Sequence, residues 1–189
     1  MKSNYFREKI SGLTFTDKTI KDIEFEDCGF TKCIFINCII DNCRFIDCEF
    51  DDCSISAGKL NNSSFINIKF KNSKVMGIDW TKAKGVRFLD FKNCDISYSN
   101  FSYLKLPCFQ LVNSISHEVN FGGADLHEAI FTKTDFCKSI FLNTNLVKAD
   151  FRSAFNYGID IHANKLKQAK FSLPEAASLL RNLEIEIEN

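Results

Sequence analysis

Nine cysteines, three histidines and a run of carboxylates are the side chains in this sequence that could do chemistry. Six of the thiols, Cys28, Cys33, Cys38, Cys43, Cys48 and Cys53, recur at every fifth residue. Thiols in number suggest zinc or disulfides, but metal sites and redox centres use close pairs such as CxxC, and no CxxC occurs. A regular interval of five favours small, readily buried apolar side chains, reduced and in a core, over metal ligands or disulfides. His117, His127 and His162 each lack a neighbouring His or Cys. The run Ser116-His117-Glu118 is not a triad by adjacency, because a triad needs facing geometry. No catalytic or metal-ligating residue and no cofactor is expected.

The acids are unevenly spread. Formal net charge is zero, with 24 basic and 24 acidic residues. Residues 17–52 hold ten acids against four bases, and residues 59–92 hold eight bases against two acids. A general binder of nucleic acid shows a basic excess, so direct nucleic-acid binding is not expected. The two runs read either as a solvated wall or as an oriented docking surface.

The element that must position these groups has a period of five. Phe25, Phe30, Phe35, Ile40, Phe45, Phe50, Ile55, Leu60, Phe65 and Phe70 form one series of large apolar residues, and the six cysteines stand two residues before Phe30, Phe35, Ile40, Phe45, Phe50 and Ile55. A helix repeats at 3.6 and a strand at two. Five fits a solenoid in which short extended pieces alternate with turns. Phe, at 20 of 189 residues, fills the repeating slot. The large series begins by Ile10, after a lead-in over residues 1–9, and continues to Val75 and Trp80. It slips by one residue near Gly85, where a bulge or distorted corner is expected. Beyond the slip it runs Val86, Phe91, Ile96, Phe101, Leu106, Leu111, with Phe109 and Ser116 suggesting a local swap of large and small. It is cleanest over Phe121, Leu126, Phe131, Phe136, Phe141, Leu146 and Phe151, with Val119, Ala124, Ala129, Thr134, Ser139, Thr144 and Ala149 in the small slot. Tyr157-Gly158 reads as a loop, after which Ile161, Leu166 and Phe171 resume the series.

The pattern then stops. Ser172-Leu173-Pro174-Glu175 predicts a helix start with a capping box between Ser172 and Glu175. Leu173, Ala176, Ala177, Leu180 and Leu183 predict an apolar stripe. The alternation from residue 184 to 188 predicts a short strand. No stretch resembles a signal peptide or a membrane span, and with reduced thiols the expected location is the cytoplasm.

With both slots written out, the sequence resembles the pentapeptide-repeat proteins over residues 10–171. The resemblance implies an all-β fold, a right-handed quadrilateral β-helix with four units per coil and a short C-terminal helix. About eight coils at about 4.8 Å would make a rod roughly 40 Å long. Phe25, Phe45 and Phe65 would then stack in one ladder and Phe30, Phe50 and Phe70 in another. The expected division is residues 1–171 as the solenoid and 172–189 as a capping helix and dimerisation strand. The length and the terminal helix most resemble the subgroup that confers fluoroquinolone resistance or immunity to gyrase poisons. That likeness implies a non-enzymatic homodimer that protects DNA gyrase or topoisomerase IV by mimicking DNA. Asp41, Asp47, Glu49, Asp51 and Asp52 would face the topoisomerase, and Leu173, Ala176, Leu180, Leu183, Ile185 and Ile187 would join the two chains. The neutral total charge and the lack of a long projecting loop keep a second reading open, a scaffold for another protein with no topoisomerase partner.

Overall fold

The structure is a computed structural model that describes residues 4–183 and 185. Each five-residue unit of the first half is a three-residue strand followed by a corner. The central strand residue points inward and its neighbours point out, as in Glu24–Glu26. Two residues after each inward side chain the backbone turns left-handed: Asp17, Asp22, Asp27, Asn37, Asn42, Asp47 and Asp52 all have φ between 50 and 56°. Asn and Asp tolerate this conformation better than most residues, which explains the polar residues spaced through the repeat.

Four corners close a coil, and the strands of successive coils pair in parallel at an interval of twenty residues, as in Phe25↔Phe45 and Phe45↔Phe65. The first face carries Asn4–Phe6, Glu24–Glu26 and Arg44–Ile46, the second Lys9–Ser11, Gly29–Thr31 and Glu49–Asp51. The third carries Thr14–Thr16, Ile34–Ile36, Ser54–Ser56 and Lys74–Met76, the fourth Thr19–Lys21, Ile39–Asp41 and Lys59–Asn61. Strands Ser64–Lys71 and Gly85–Lys92 run round a corner and unite the first two faces in one sheet. The result is the expected right-handed β-solenoid with one short helix near its C-terminus.

The slip lies beside Gly85 but not in it. Pairing changes from twenty to twenty-one at Ser64↔Gly85 and Asp79↔Asn100. The added residue is absorbed in a 3-10 turn, Trp80–Lys82, whose preceding Asp79 accepts hydrogen bonds from the Thr81 N–H at 3.1 Å and the Thr81 hydroxyl at 2.6 Å. Gly85 itself is an ordinary strand residue opposite Ser64, so of the two expected forms the distorted corner is present, at Trp80–Lys82, and a bulge at Gly85 is corrected.

The two aromatic ladders form as expected. Ring centroids are 4.9 Å apart for Phe25–Phe45, 5.1 Å for Phe45–Phe65, 4.5 Å for Phe30–Phe50 and 5.0 Å for Phe50–Phe70. The bulky Ile78 fits the small slot because its Cδ1 fills the space over Gly58, 3.4 Å from where a Cβ would stand. Phe109 is buried in its small slot among Phe91, Phe101, Phe121 and Phe131, while Ser116 is buried in the large slot and hydrogen-bonds Ser139 at 3.2 Å.

The small slot is chemically different in the two halves. In the first half, where the slot one coil on holds Cys or Ser, its side chain can satisfy the N–H: Cys33 N donates to Cys53 Sγ at 3.4 Å, Cys43 N to Ser63 Oγ at 3.0 Å and Cys53 N to Ser73 Oγ at 2.9 Å. The thiols in turn donate to carbonyls, Cys53 Sγ to Phe30 O at 3.5 Å and Asp51 O at 3.4 Å. Cysteine therefore acts as donor and acceptor here and is not merely a small apolar filler. Burial pushes the thiols of Cys48, Cys53 and Cys94 up to about 11. At some positions of the second half the same N–H closes a tight turn, Ala124 N to Phe121 O at 3.1 Å and Ala129 N to Leu126 O at 3.1 Å, while Val119 N and Thr144 N keep the cross-coil bond, to Ser139 Oγ at 3.3 Å and Asn164 Oδ1 at 2.9 Å. The third residue of each turn, Gly123 or Glu128, is left-handed, with φ of 69 and 59°, the type II pattern. Before the turn, Asp or Asn precedes the inward residue and its side chain accepts the N–H two positions on, as in Asp135 to Cys137 at 3.1 Å. With the N–H already bonded, Ala suffices in the slot.

The last coil departs from the sequence reading. Pairing tightens to eighteen residues at Phe141↔Ile159 and returns to twenty at Asn145↔Lys165. Asn156 takes a left-handed corner, with φ of 56°, and Tyr157 enters the core against Phe151 and Phe171. Tyr157 is thus a core residue where a loop was expected, and Ile161 is only half-buried. The terminal helix is a 3-10 helix, Glu175–Leu183. The capping box does not form, because both side chains serve the last coil instead. Ser172 Oγ accepts from Ser153 N at 2.8 Å and Glu175 Oε1 from Asn156 N at 2.8 Å.

Candidate protein-binding surface

The corner rule and the twenty-residue period place the acids. Asp27 and Asp47 stack at the corner between the first and second faces, and Glu49 and Asp51 flank the inward Phe50 on the second. Together with Glu26 they line an open groove of about 710 Å³, shared with Arg7 and Lys69. Asp47, Glu49 and Asp51 are therefore brought together. Asp52 stands exposed at the next corner, outside the groove. Asp41 lies on the fourth face, 3.8 Å from Lys21. Glu26 and Asp27, which belong to the same acidic run of the sequence, join the cluster because the twenty-residue period stacks Asp27 on Asp47.

The carboxylates are answered by the coil next to them. Glu49 holds Lys71 Nζ at 2.9 Å through both oxygens, Asp47 accepts from Asn67 at 2.5 Å, and Asp51 accepts from Asn72 at 2.9 Å. Arg7 pairs with Asp27 at 2.9 Å and Arg44 with Glu24 at 3.4 Å. Exposed pairs of this kind are worth at most about 1 kcal/mol each, but they reduce the field a partner meets.

The histidines pair singly. His117 Nε2 lies 2.9 Å from Asp135, and His127 Nδ1 lies 2.9 Å from Asp125. Burial would raise the Asp135 carboxyl, but hydrogen bonds from His117, Asn156 and the Cys137 N–H leave it below its ordinary value. Among the described residues no group of three His, Cys, Asp or Glu is arranged to hold a metal ion. No helix among them is long and apolar enough to cross a membrane.

At the C-terminus, Leu173 is 82% exposed, and Leu180 and Ile185 are also exposed. Ala176 and Leu183 are half-buried, and Leu179 packs against the core. The stripe thus includes Leu179, which the spacing of an α-helix did not single out, since a 3-10 helix repeats at three. Ile187 and most of the expected terminal strand lie outside the described residues.

Two family models match the sequence, one for a pentapeptide repeat region over residues 18–101 and one for eight copies of pentapeptide repeats over 117–154. The chain belongs to the pentapeptide-repeat family. The stretches matched correspond to its strand-rich and turn-rich halves. No curated protein matches the sequence. Among solved structures, the pentapeptide-repeat chain is similar to a trypsin-treated form of QnrB1, a plasmid-mediated fluoroquinolone resistance protein, with TM-score 0.73, 21% identity and 100% of both chains covered. It is also similar to HetL, a pentapeptide-repeat protein involved in heterocyst differentiation regulation from the cyanobacterium Nostoc, with TM-score 0.61, 14% identity and 89% and 87% of the two chains covered. At these identities the likeness is one of fold.

Proposed function

We propose that this pentapeptide-repeat protein is a non-enzymatic binding protein that docks on DNA gyrase or topoisomerase IV and protects it from a drug or peptide toxin. The observation that carries the reading is the groove, in which Asp47, Glu49 and Asp51 join Glu26 and Asp27 on the edge of a rod. Whole-chain likeness in fold to a fluoroquinolone resistance protein supports it. A row of carboxylates along a β-solenoid suits a basic DNA-binding saddle, because opposed fields speed and orient encounter. The cross-coil pairing of Glu49, Asp47 and Asp51 favours the second reading, a scaffold for another protein, since it weakens that field. Pairing of two chains through Leu173, Ala176, Leu180, Leu183 and Ile185 belongs to the same proposal.

Supercoiling by purified gyrase, with and without a fluoroquinolone, separates the readings as the protein is titrated in. Protection or inhibition that is lost in a variant carrying Asp47→Asn, Glu49→Gln, Asp51→Asn and Asp52→Asn is the expected result. No effect on gyrase or topoisomerase IV from the source organism would leave the scaffold. Sedimentation at micromolar concentration tests the assembly, and a monomeric full-length chain would refute the dimer.

A further inference from the structure

Bulky aromatic side chains stand at corners where this chain otherwise places mainly Asn, Asp, Lys and other polar residues. Phe88, Tyr98 and Tyr103 have φ of 53, 63 and 59°, a conformation that Asn and Gly adopt more easily than aromatic residues. They are 59, 60 and 83% exposed, so the core does not offset the strain. Strain of this kind at exposed positions is a pointer to function. Tyr103 also has a prepared seat. Its ring lies against Gly123 of the next coil, where an added Cβ would stand 2.5 Å from Cδ1.

The first face between Tyr103 and Phe88 is basic. Lys82 and Lys84 occupy the corner leading into Gly85–Lys92, Arg87 projects from that strand, and the period places Lys105 beneath Gly85. None of these four cations makes an ion pair among the described residues. Elsewhere the coil-to-coil rule does pair them, as in Lys148 with Glu128 at 2.8 Å. The row above, Ser64, Ile66 and Asn67, is uncharged, and the acid on the row below, Asp125 opposite Lys105, is held by His127 at 2.9 Å and by Asn145 at 2.7 Å. The zero net charge of the whole chain conceals this local excess.

We propose that this band, from Tyr103 across Lys84, Arg87 and Lys105 to Phe88, binds single-stranded nucleic acid. Exposed rings beside unpaired cations form a stacking platform with phosphate partners. The rings stand at separate corners and do not wall an apolar groove, so they offer an acidic polypeptide nothing to bury, while every base has a face to stack. The site uses none of the acids assigned to a topoisomerase and stands or falls independently of that reading.

Fluorescence anisotropy of the full-length protein with a labelled oligothymidylate of about 12 nucleotides, within the site size of such platforms, tests the proposal. Micromolar or tighter binding at about 50 mM salt is expected, with a log–log salt slope of about −3 for four phosphate contacts. Tyr103→Asn with Phe88→Asn should weaken binding at least tenfold. The same pair should leave the melting temperature unchanged or raised, because Asn suits these corners. Lys84→Gln with Arg87→Gln and Lys105→Gln should flatten the salt slope to about −1. Absence of saturable binding would overturn the site. So would full affinity in the aromatic pair, or equal affinity for duplex DNA or for polyglutamate.

Discussion

Replacing Ser63 by Ala tests whether the small slot needs a hydrogen-bonding atom or only a small side chain. Ser63 is buried, its Oγ accepts from Cys43 N at 3.0 Å, and it lies 3.0 Å from Ile40 O and 2.9 Å from Asn61 O. Ala would leave the Cys43 N–H buried without a partner, at about 1–3 kcal/mol, and would remove a donor from a carbonyl, at about 1 kcal/mol. The expected loss is about 2–4 kcal/mol. Ser63→Cys keeps both functions, as the neighbouring thiols do, and should cost less than about 1.5 kcal/mol. Urea unfolding under reducing conditions reads the difference, with m-values compared because a solenoid can lose coils separately. Amide exchange at Cys43 should also quicken in the Ala variant. An Ala variant within about 0.5 kcal/mol of the parent, the usual spread for a surface change, would show that size alone fills the slot and would refute the ladder.

Phe45→Ala removes a ring stacked on Phe25 at 4.9 Å and Phe65 at 5.1 Å, and a loss of about 3–5 kcal/mol in unfolding free energy is expected; a small change would place that ring outside the core. Stability should fall as pH rises from about 9 to about 11, since unfolded thiols ionise near 9 while burial holds Cys48, Cys53 and Cys94 protonated up to about 11 in the folded chain. In that window the folded state binds more protons, so the full contribution is present below it and is lost on crossing it, on the order of 1–2 kcal/mol per thiol after discounting for screening. Cys94→Ser, monitored by chemical unfolding across this range, should flatten the fall in part, and an unchanged profile would exclude Cys94 as a contributor. Among the described residues the buried Tyr157 hydroxyl has no hydrogen-bond partner, and burial followed by Glu175 pushes it up to about 12. Tyr157→Phe should therefore raise the unfolding midpoint, worth about 1 kcal/mol or more, and a lowered midpoint would mean that the hydroxyl is bonded in solution.

The fold was legible because its period matches neither helix nor strand, and because every fifth residue from Phe25 to Phe70 is large, apolar and turned inward. The change of corner geometry was equally visible, in Asp or Asn preceding the inward residue at Asp95, Asn100, Asn120, Asp125 and Asp135. It was missed because those residues look like ordinary solvated positions until their hydrogen bonds are traced. The last coil was not legible. Phe155 and Tyr157 are both large and aromatic, and which one turns inward depends on the eighteen-residue pairing at Phe141↔Ile159. Ser172 and Glu175 carry the right residues for a capping box, yet the backbone N–H groups of Ser153 and Asn156 on the adjacent coil compete for them and win. The sequence spacing grouped Asp41 with Asp47, Glu49, Asp51 and Asp52, but one strand of separation is one face of separation in this fold.

That last difference bears on any partner of the rod. Along the sequence the acids form a run, but a partner meets columns, built from residues twenty apart. The column at the first corner reads Arg7, Asp27, Asp47, Asn67, Phe88, Cys108, Glu128, Lys148. Its two acids are followed by an amide, an aromatic and a thiol before the ion pair of Glu128 and Lys148 at 2.8 Å. Charge of one sign therefore extends only about two coils, roughly 10 Å at the spacing of paired strands, close to one Debye length in physiological salt. Beyond that distance exposed charges are screened from one another, so each coil pair presents its own local field. A neutral chain can thus hold an acidic groove near one end and a basic aromatic band near its middle without either cancelling the other. Net charge describes the protein's average, while the twenty-residue column decides what a docking surface meets.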